Sequence, residues 1–232
     1  QLRDYSQDPH RKVDDRPFGG GPGMVLMCQP VCDAVEAIEK MDTRPARRLL
    51  PSPQGRRFCQ ATGQRYAALP RLLLICGHYE GCDERIVDIL RPEEVSLGDF
   101  VMTGGELAAM AVIDSVVRLL PGALGHEEGA SDESFASGLL EHPHYTRPRD
   151  YRGHSVPEVL LSGNHAEIET WRRQQAERRT RQRRPDLLGA AGSWRQPTGK
   201  EHRLAERVPG VVVGSQSRVR AAIAGAAPAI MV

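Results

Sequence analysis

The residue types able to do chemistry in this chain cluster in five stretches. Three are rich in glycine: VDDRPFGGGPG at residues 13–23, CGHYEGC at 76–82 and SLGDFVMTGGEL at 96–107. The fourth, GHEEGASDESFASG at 125–138, is acidic, small and polar. The fifth, WRRQQAERRTRQRR at 171–184, holds seven arginines against one acid. Each has an ordinary explanation when taken alone. Consecutive glycines usually make a loose surface loop, because a residue without Cβ meets little steric restriction. An acidic stretch of small residues is by composition a linker. A charged helix is most often a solvated face. Seven positive charges with so little compensation are better explained by a surface for phosphate, since a field of one sign attracts that partner.

The elements that must hold these stretches are clearest between residues 72 and 122. The run 72–76, LLLIC, is short and apolar and is closed by Gly77, the pattern of a buried parallel strand. A polar loop follows, and Ile86, Val87, Ile89 and Leu90 then fall at helical spacing. Pro92 and Gly98 mark turns around a second apolar piece at 99–102, which the alternation predicts as the next strand. Gly104 and Gly105 open a helix expected over 106–120, stopped by Pro121 and Gly122. Strand, glycine loop, helix, repeated, is the grammar of an α/β fold with a parallel sheet. Its glycine loops fall beyond the carboxyl ends of strands, where such sheets bind ligands.

Upstream, the pattern predicts a helix over 24–41 with Val31, Ala34, Val35 and Ile38 as its apolar stripe. A strand follows at 47–50, ending in a turn at 51–55, and then a helix over 58–69. The GGGPG loop is no dinucleotide fingerprint, because no strand is expected before it. Downstream, HPHYTRP at 142–148 sets His, Tyr and Arg between prolines, a combination suited to stacking on bases and touching phosphate. Ser162 or Asn164 is placed to cap a helix over 165–183. From residue 189 the chain is punctuated by Gly, Ala and Pro, with one short helix expected near 217–224.

Composition narrows the class. The chain has 232 residues, 40% hydrophobic and 26% charged, with a net charge of +1. That is an ordinary globular balance, and 232 residues suffice for one large or two small domains with a core. No stretch approaches the roughly 20 apolar residues of a membrane span, and no signal peptide is recognised. The five cysteines are scattered with no CxxC pair, so neither a zinc knuckle nor a disulfide framework is indicated. They are expected as reduced cytosolic thiols, with Cys76 buried at a strand end.

The segments CGHYEGCDERIVD at 76–88 and SLGDFVMTGGELAAMAVIDSVVRLLPG at 96–122 closely resemble the bacterial tRNA (guanine-N1)-methyltransferases of the TrmD family, in the knotted SPOUT class. The likeness runs from about residue 2 to residue 188. It implies an α/β parallel sheet with a deep trefoil knot at the cofactor site, plus a small, mainly helical C-terminal domain. The implied division is a cofactor domain at 1–124, a linker at 125–140 and a tRNA-binding domain at 141–232 with an atypical tail from about 189. Family members carry a strand and a helix ahead of the position that matches Gln1, so this material is expected to be missing.

The function implied by the resemblance is methylation of N1 of guanosine 37 in tRNA, next to the anticodon, with S-adenosylmethionine (SAM) as donor. Three loops would make the SAM pocket. The first contributes Ser52 and Pro53. The second contributes Gly77, Tyr79, Glu80 and Gly81. The third contributes Leu97, Gly98, Asp99, Phe100, Val101, Met102, Gly104 and Gly105. Backbone groups exposed at glycine turns can read adenine edges, apolar side chains can pack on the ring, and carboxylates at Glu80 and Asp99 can favour the cation or the ribose hydroxyls. On the tRNA side the resemblance implicates Asp15, Arg16 and Gly21 in the glycine loop, then His144, Tyr145, Arg147, Arg172 and Arg179. It makes Arg118 the electrostatic partner of guanine O6. By itself, an Arg at a helix C-terminus is explained by the helix dipole.

A carboxylate must take the guanine N1 proton. The family has Asp directly before the Ser-Phe that matches Ser134 and Phe135, and this chain has Glu133 there with Asp132 just before it. Glu133 is favoured as base and Asp132 is the alternative. Two further departures are Pro51, which has no N–H to give, and Ala108, a better helix former than the usual Pro. The resemblance also implies a homodimer, because the active site in this class forms between two subunits, a cytoplasmic location, and magnesium as an assisting ion without a dedicated metal site. Two other readings stand beside this one: a knotted methyltransferase acting on another RNA nucleotide, and an RNA-binding module that binds SAM without transferring its methyl. A Rossmann-type methyltransferase lacks its early glycine fingerprint here.

Overall fold

The computed structural model describes residues 1–123 and 133–189. Asp132 and the tail from 190, with the helix expected near 217–224, lie outside the described residues. The described residues fall into two compact units, the first within Gln1–Gly125 and the second within His126–Arg203.

The first unit is built on a parallel sheet of three strands in the order β4-β3-β5: β3 at Arg47–Arg57, β4 at Leu72–Leu74 and β5 at Glu93–Ser96. Adjacent leucines on these strands point to opposite faces, as the pleat requires. Leu50, Leu73 and Ile75 pack with Val31, Val35, Ile38, Ile86 and Leu90 on one side. Leu49, Leu74, Cys76 and Val95 pack with Tyr66, Ala109, Val112 and Val116 on the other. The helices therefore divide by face. Helices α1 (Cys28–Glu39) and α3 (Arg85–Leu90) cover one side, and α2 (Gln60–Ala67) and α4 (Glu106–Val117) cover the other. This is α/β architecture with a parallel sheet, as the sequence pattern predicts.

Four local expectations need correction. The strand after α3 is Glu93–Ser96, and residues 99–102 are loop. Val95 and Ser96 are buried and paired with β3, whereas Phe100 and Val101 are exposed. Helix α1 begins at Cys28, because Val25–Leu26 is a strand (β2) paired antiparallel with β1 at Asp14–Asp15. The glycine stretch is thus the tip of a short hairpin, with a strand before it after all. Helix α4 ends at Val117 and not at 120. The turn expected at 51–55 is an excursion within β3: Pro51 and Arg56 both oppose Val95, and pairing resumes at Arg57 with Ser96.

Buried Arg71 fastens α1 to the sheet. Its guanidinium donates to the carbonyls of Ile38 (2.7 Å), Asp42 (3.1 Å) and Glu39 (3.3 Å), at and just beyond the C-terminal end of that helix. Arg48 adds an ion pair to Glu39 at 2.6 Å, and that contact holds the Glu39 carboxyl below its usual range.

The second unit is carried by helix α5 at His165–Arg183, as the sequence predicts, with Asn164 accepting from the Glu167 amide as its cap. A two-stranded hairpin, β6 (Asp150–Tyr151) and β7 (His154–Ser155), and a 3-10 turn at Glu158–Leu161 precede it. Fully buried Thr180 ties α5 to the segment before the hairpin, accepting from Leu140 N at 2.8 Å and donating to Ala176 O at 2.7 Å.

Replacing Arg71 by Met removes the three charge-assisted hydrogen bonds that fasten the end of α1. Urea unfolding should show a loss of about 2–3 kcal/mol relative to the parent. A change below half of that would mean that water satisfies the end of α1.

Candidate functional site

Three loops gather at one edge of the parallel sheet, the excursion within β3 and the loops that follow β4 and β5, and backbone contacts join them. The excursion at 52–55 sits against β5: a Cβ on Gly55 would collide with the backbone of Glu94 and Val95. Just after it, Phe58 N donates to Ser96 O at 2.7 Å. Ser96 then holds the start of the third loop, its hydroxyl accepting from Gly98 N and donating to Gly98 O, both at 3.1 Å. Arg57 reaches Asp99 at 3.0 Å in an exposed pair. The second and third loops meet directly. Gly105 N donates to Gly77 O at 2.8 Å, and His78 bridges Gly104. A Cβ on Gly105 would lie 3.0 Å from both Cys76 Cα and Gly77 N, so any larger residue would crowd backbone at this approach.

The glycine hairpin is fixed to the same edge at its base. Leu26 N donates to Gly81 O at 2.9 Å, Glu80 N to Met24 O at 3.0 Å and Asp83 N to Leu26 O at 3.0 Å. Gly23 lies against the Glu80 side chain. Asp15 and Arg16 stand exposed where the hairpin leaves this base, with Asp15 Oδ1 accepting from Arg16 N at 2.8 Å. Gly21 and a fully exposed Phe18 are at its tip.

The sequence-predicted residues of the first unit are therefore brought together in part. Ser52, Pro53, Gly77, Tyr79, Glu80, Gly81, Leu97 through Met102, Gly104 and Gly105 share this edge. Of the apolar candidates, Leu97 packs into the core, whereas Val101 is 83% exposed and Phe100 56%. Arg118 is exposed at the C-cap of α4, the place the helix-dipole explanation gives it. Sequence reasoning passed over His78 and Glu106, whose side chains approach to 3.6 Å beside the Gly104 turn. Glu106 had a signal, being the acid in the first turn of a helix opened by two glycines.

The cysteines at this edge are inert. Burial pushes the thiols of Cys76 and Cys82 up to about 11. All five cysteines are free, although Cys28 and Cys32 place their sulfurs 3.7 Å apart.

The remaining candidates lie in the second unit. Glu133 starts a turn in which Ala136 N donates to its carbonyl at 3.1 Å, and Ser134 Oγ accepts from Glu141 N at 3.0 Å. Glu141 in turn accepts from His144 at 2.8 Å, and its carbonyl accepts from Arg179 at 3.3 Å. The rings of His142 and His144 are 4.7 Å apart. Burial is the main cause that pushes His142 below the usual histidine range, with His144 and Arg172 adding to it. Tyr145 is 48% exposed, with its ring centroid 6.4 Å from that of Trp171, and Arg147 and Arg172 are exposed.

The edge of the first unit suits a ligand held mainly by backbone. Its loops approach one another closely at glycines, and Glu80 and Glu106 border it with negative charge, while Asp99 is paired with Arg57. These features fit a molecule with a heteroaromatic base and a cationic centre, as SAM has. Among the described residues no group of three or more His, Cys, Asp or Glu side chains could hold a metal ion, and no helix there is long and apolar enough to cross a membrane.

Comparison with known proteins agrees with the motifs. The family model described as tRNA (Guanine-1)-methyltransferase TrmD matches residues 1–190. A protein of Rhodopirellula baltica named tRNA (guanine-N(1)-)-methyltransferase is 56% identical over 190 residues, covering 81% of this chain and 78% of its own. One of the same name from Bacillus subtilis is 55% identical over 206 residues, covering 89% and 80%. Another from Ruminiclostridium cellulolyticum is 58% identical over 188 residues, covering 81% and 80%.

Two outcomes test this geometry. Gly105→Ala and Gly55→Ala should each lose about 1–3 kcal/mol in urea unfolding, because backbone cannot move aside as a side chain can. Iodoacetamide at pH 8 should label exposed Cys59 well ahead of Cys76 and Cys82. Their thiols stay protonated until the pH nears about 11. Equal labelling of all three would mean that the loop edge opens in solution.

Proposed function

The chain belongs to the tRNA (Guanine-1)-methyltransferase TrmD family, and from that premise we propose that it methylates N1 of guanosine 37 in tRNA with SAM as donor. The observation that carries the proposal is the joined edge of three loops, with Gly105 N bonded to Gly77 O. When bound, SAM supplies a methyl group activated by its sulfonium. The backbone around Ser52–Pro53, Gly77–Gly81 and Gly98–Gly105 holds the adenine side, with Leu97, Val101 and Met102 packing on the ring. Glu80 and Asp99 favour the cation or bind the ribose hydroxyls, along with Tyr79 and Phe100 in the same loops.

Guanine N1 carries a weakly acidic proton, and its loss places negative charge on O6. Glu133 accepts that proton, and Arg118 donates to O6 as the charge grows. Glu differs from the family's Asp by one methylene, and a displacement of about 1 Å can cost about a hundredfold. Asp132 therefore stands as the second candidate base. Asp15, Arg16 and Gly21 close over the target nucleotide. His144, Tyr145, Arg147, Arg172 and Arg179 hold the anticodon arm.

The same proposal includes a trefoil knot at the cofactor edge and a division into residues 1–124, a linker 125–140 and a mainly helical RNA-binding domain 141–232. It also includes a cytoplasmic homodimer whose active site draws on both subunits, and magnesium as an assisting ion.

The test is methyl transfer from labelled SAM to two unmodified tRNA transcripts, one with guanosine at position 37 and one with adenosine. Transfer to the guanosine transcript alone is expected. Glu133→Gln should lower it about 10²–10⁴-fold. Activity retained in Glu133→Gln and lost in Asp132→Asn would move the base to Asp132. SAM binding without transfer to either transcript would overturn the enzyme reading in favour of an RNA-binding module.

A further inference from the structure

The second unit holds a groove to which no role has yet been given. It has a volume of about 410 Å³, is open to solvent, and is lined by Val159, Ala166, Glu167, Thr170, Trp171 and Gln174. Five of these belong to α5. Ala166, Thr170 and Gln174 form one row at spacing four, and Glu167 and Trp171 form the next, so the groove lies along one helix face. Val159 comes from the preceding 3-10 turn. Ala166, Val159 and the indole give it an apolar floor. Three polar groups line it without hydrogen-bond partners among the described residues: the Glu167 carboxylate, the Trp171 indole N–H and the Gln174 amide.

The surroundings carry the opposite character. Trp171 contacts Tyr145, which lines a second cavity of about 380 Å³ together with Arg147 and Arg149. Arg149 is engaged by Glu158, while Arg147 makes no hydrogen bond or ion pair among the described residues. Arg172 and Arg173 follow Trp171 on α5. A flat aromatic floor with hydrogen-bonding groups inside and arginines outside is the pattern that receives an unpaired nucleotide. The base stacks, its edge is read, and the flanking phosphates meet the cations. A neutral or basic peptide would leave the arginines without a counter-charge.

We propose that this groove is a nucleobase subsite: one unpaired base of the substrate RNA stacks on Trp171, with Glu167 and Gln174 reading its edge. The subsite rests on the RNA substrate proposed above. A carboxylate accepts from the exocyclic amino group of guanine, adenine or cytosine, whereas the single edge N–H of uracil is flanked by two carbonyl oxygens that repel it, so Glu167 disfavours uracil. Stacking is sequence-tolerant, so the floor supplies affinity and Glu167 supplies the preference.

Two measurements test it. The chain has two tryptophans, at 171 and 194, so Trp194→Phe leaves Trp171 as the sole indole. Its fluorescence should be quenched on titration with unmodified tRNA, and absence of quenching despite measured RNA binding overturns the proposal. Separately, single abasic substitutions are placed at each unpaired nucleotide of the anticodon arm. One of them should raise the KM for tRNA about tenfold in the parent, with kcat nearly unchanged. That penalty should vanish in Trp171→Ala and survive in Trp171→Phe, which keeps the ring. Trp171→Ala with the parent KM, or an abasic penalty that persists unchanged in it, overturns the subsite. In Glu167→Gln, replacing that same nucleotide by uridine should no longer be penalised. Quenching by RNA without methyl transfer would sink the proposed activity and leave the groove standing. Transfer without quenching would do the reverse.

Discussion

Backbone pairing of β3 with strands on both sides is the constraint on which the first unit depends. Among the described residues, β3 is the one strand of its sheet that hydrogen-bonds to two neighbours. The chain leaves it, forms β4 on one side, then crosses it to form β5 on the other. That reversal places three loops at one edge, where α/β sheets bind ligands. The covering helices are held by the two clusters of apolar side chains on either face. The glycines matter after that: with the strand ends fixed, the missing Cβ at Gly105 eases the close backbone approach of the second and third loops.

Much of this was legible in the sequence, for physical reasons. LLLIC reads as a buried strand because every residue is apolar, and both faces of β4 are covered. Helix α5 matches its expected bounds because Asn164 caps it and its pattern is unbroken. The misplaced strand at 99–102 shows the limit of apolarity as a signal. FVM looks more strand-like than EEVS, yet ladder position is decided by pairing, and Glu93 is kept by Arg65 at the sheet edge. The hairpin before Cys28 was hidden because two-residue strands leave no periodicity to read. His78 and Glu106 were hidden because their proximity comes from the bridge between two loops distant in sequence.

Charge is divided as sharply as structure. A net charge of +1 suggests a neutral molecule, but the acids that border the loop edge and the arginines of α5 belong to different units. A cationic cofactor and a polyanionic substrate ask for opposite fields.

The excursion in β3 has a consequence for how this edge can vary. Pro51 and Arg56 oppose the same residue of β5, Val95, so the ladder is in phase before and after the detour. Pro51 can offer no N–H at the point of departure. The sheet therefore registers the detour as if it were absent. Residues could be gained or lost between Pro51 and Arg56 without turning a single side chain of the strand to the wrong face. The length of this wall of the site is uncoupled from the framework that supports it, so its outline is free to change while the core stays as it is.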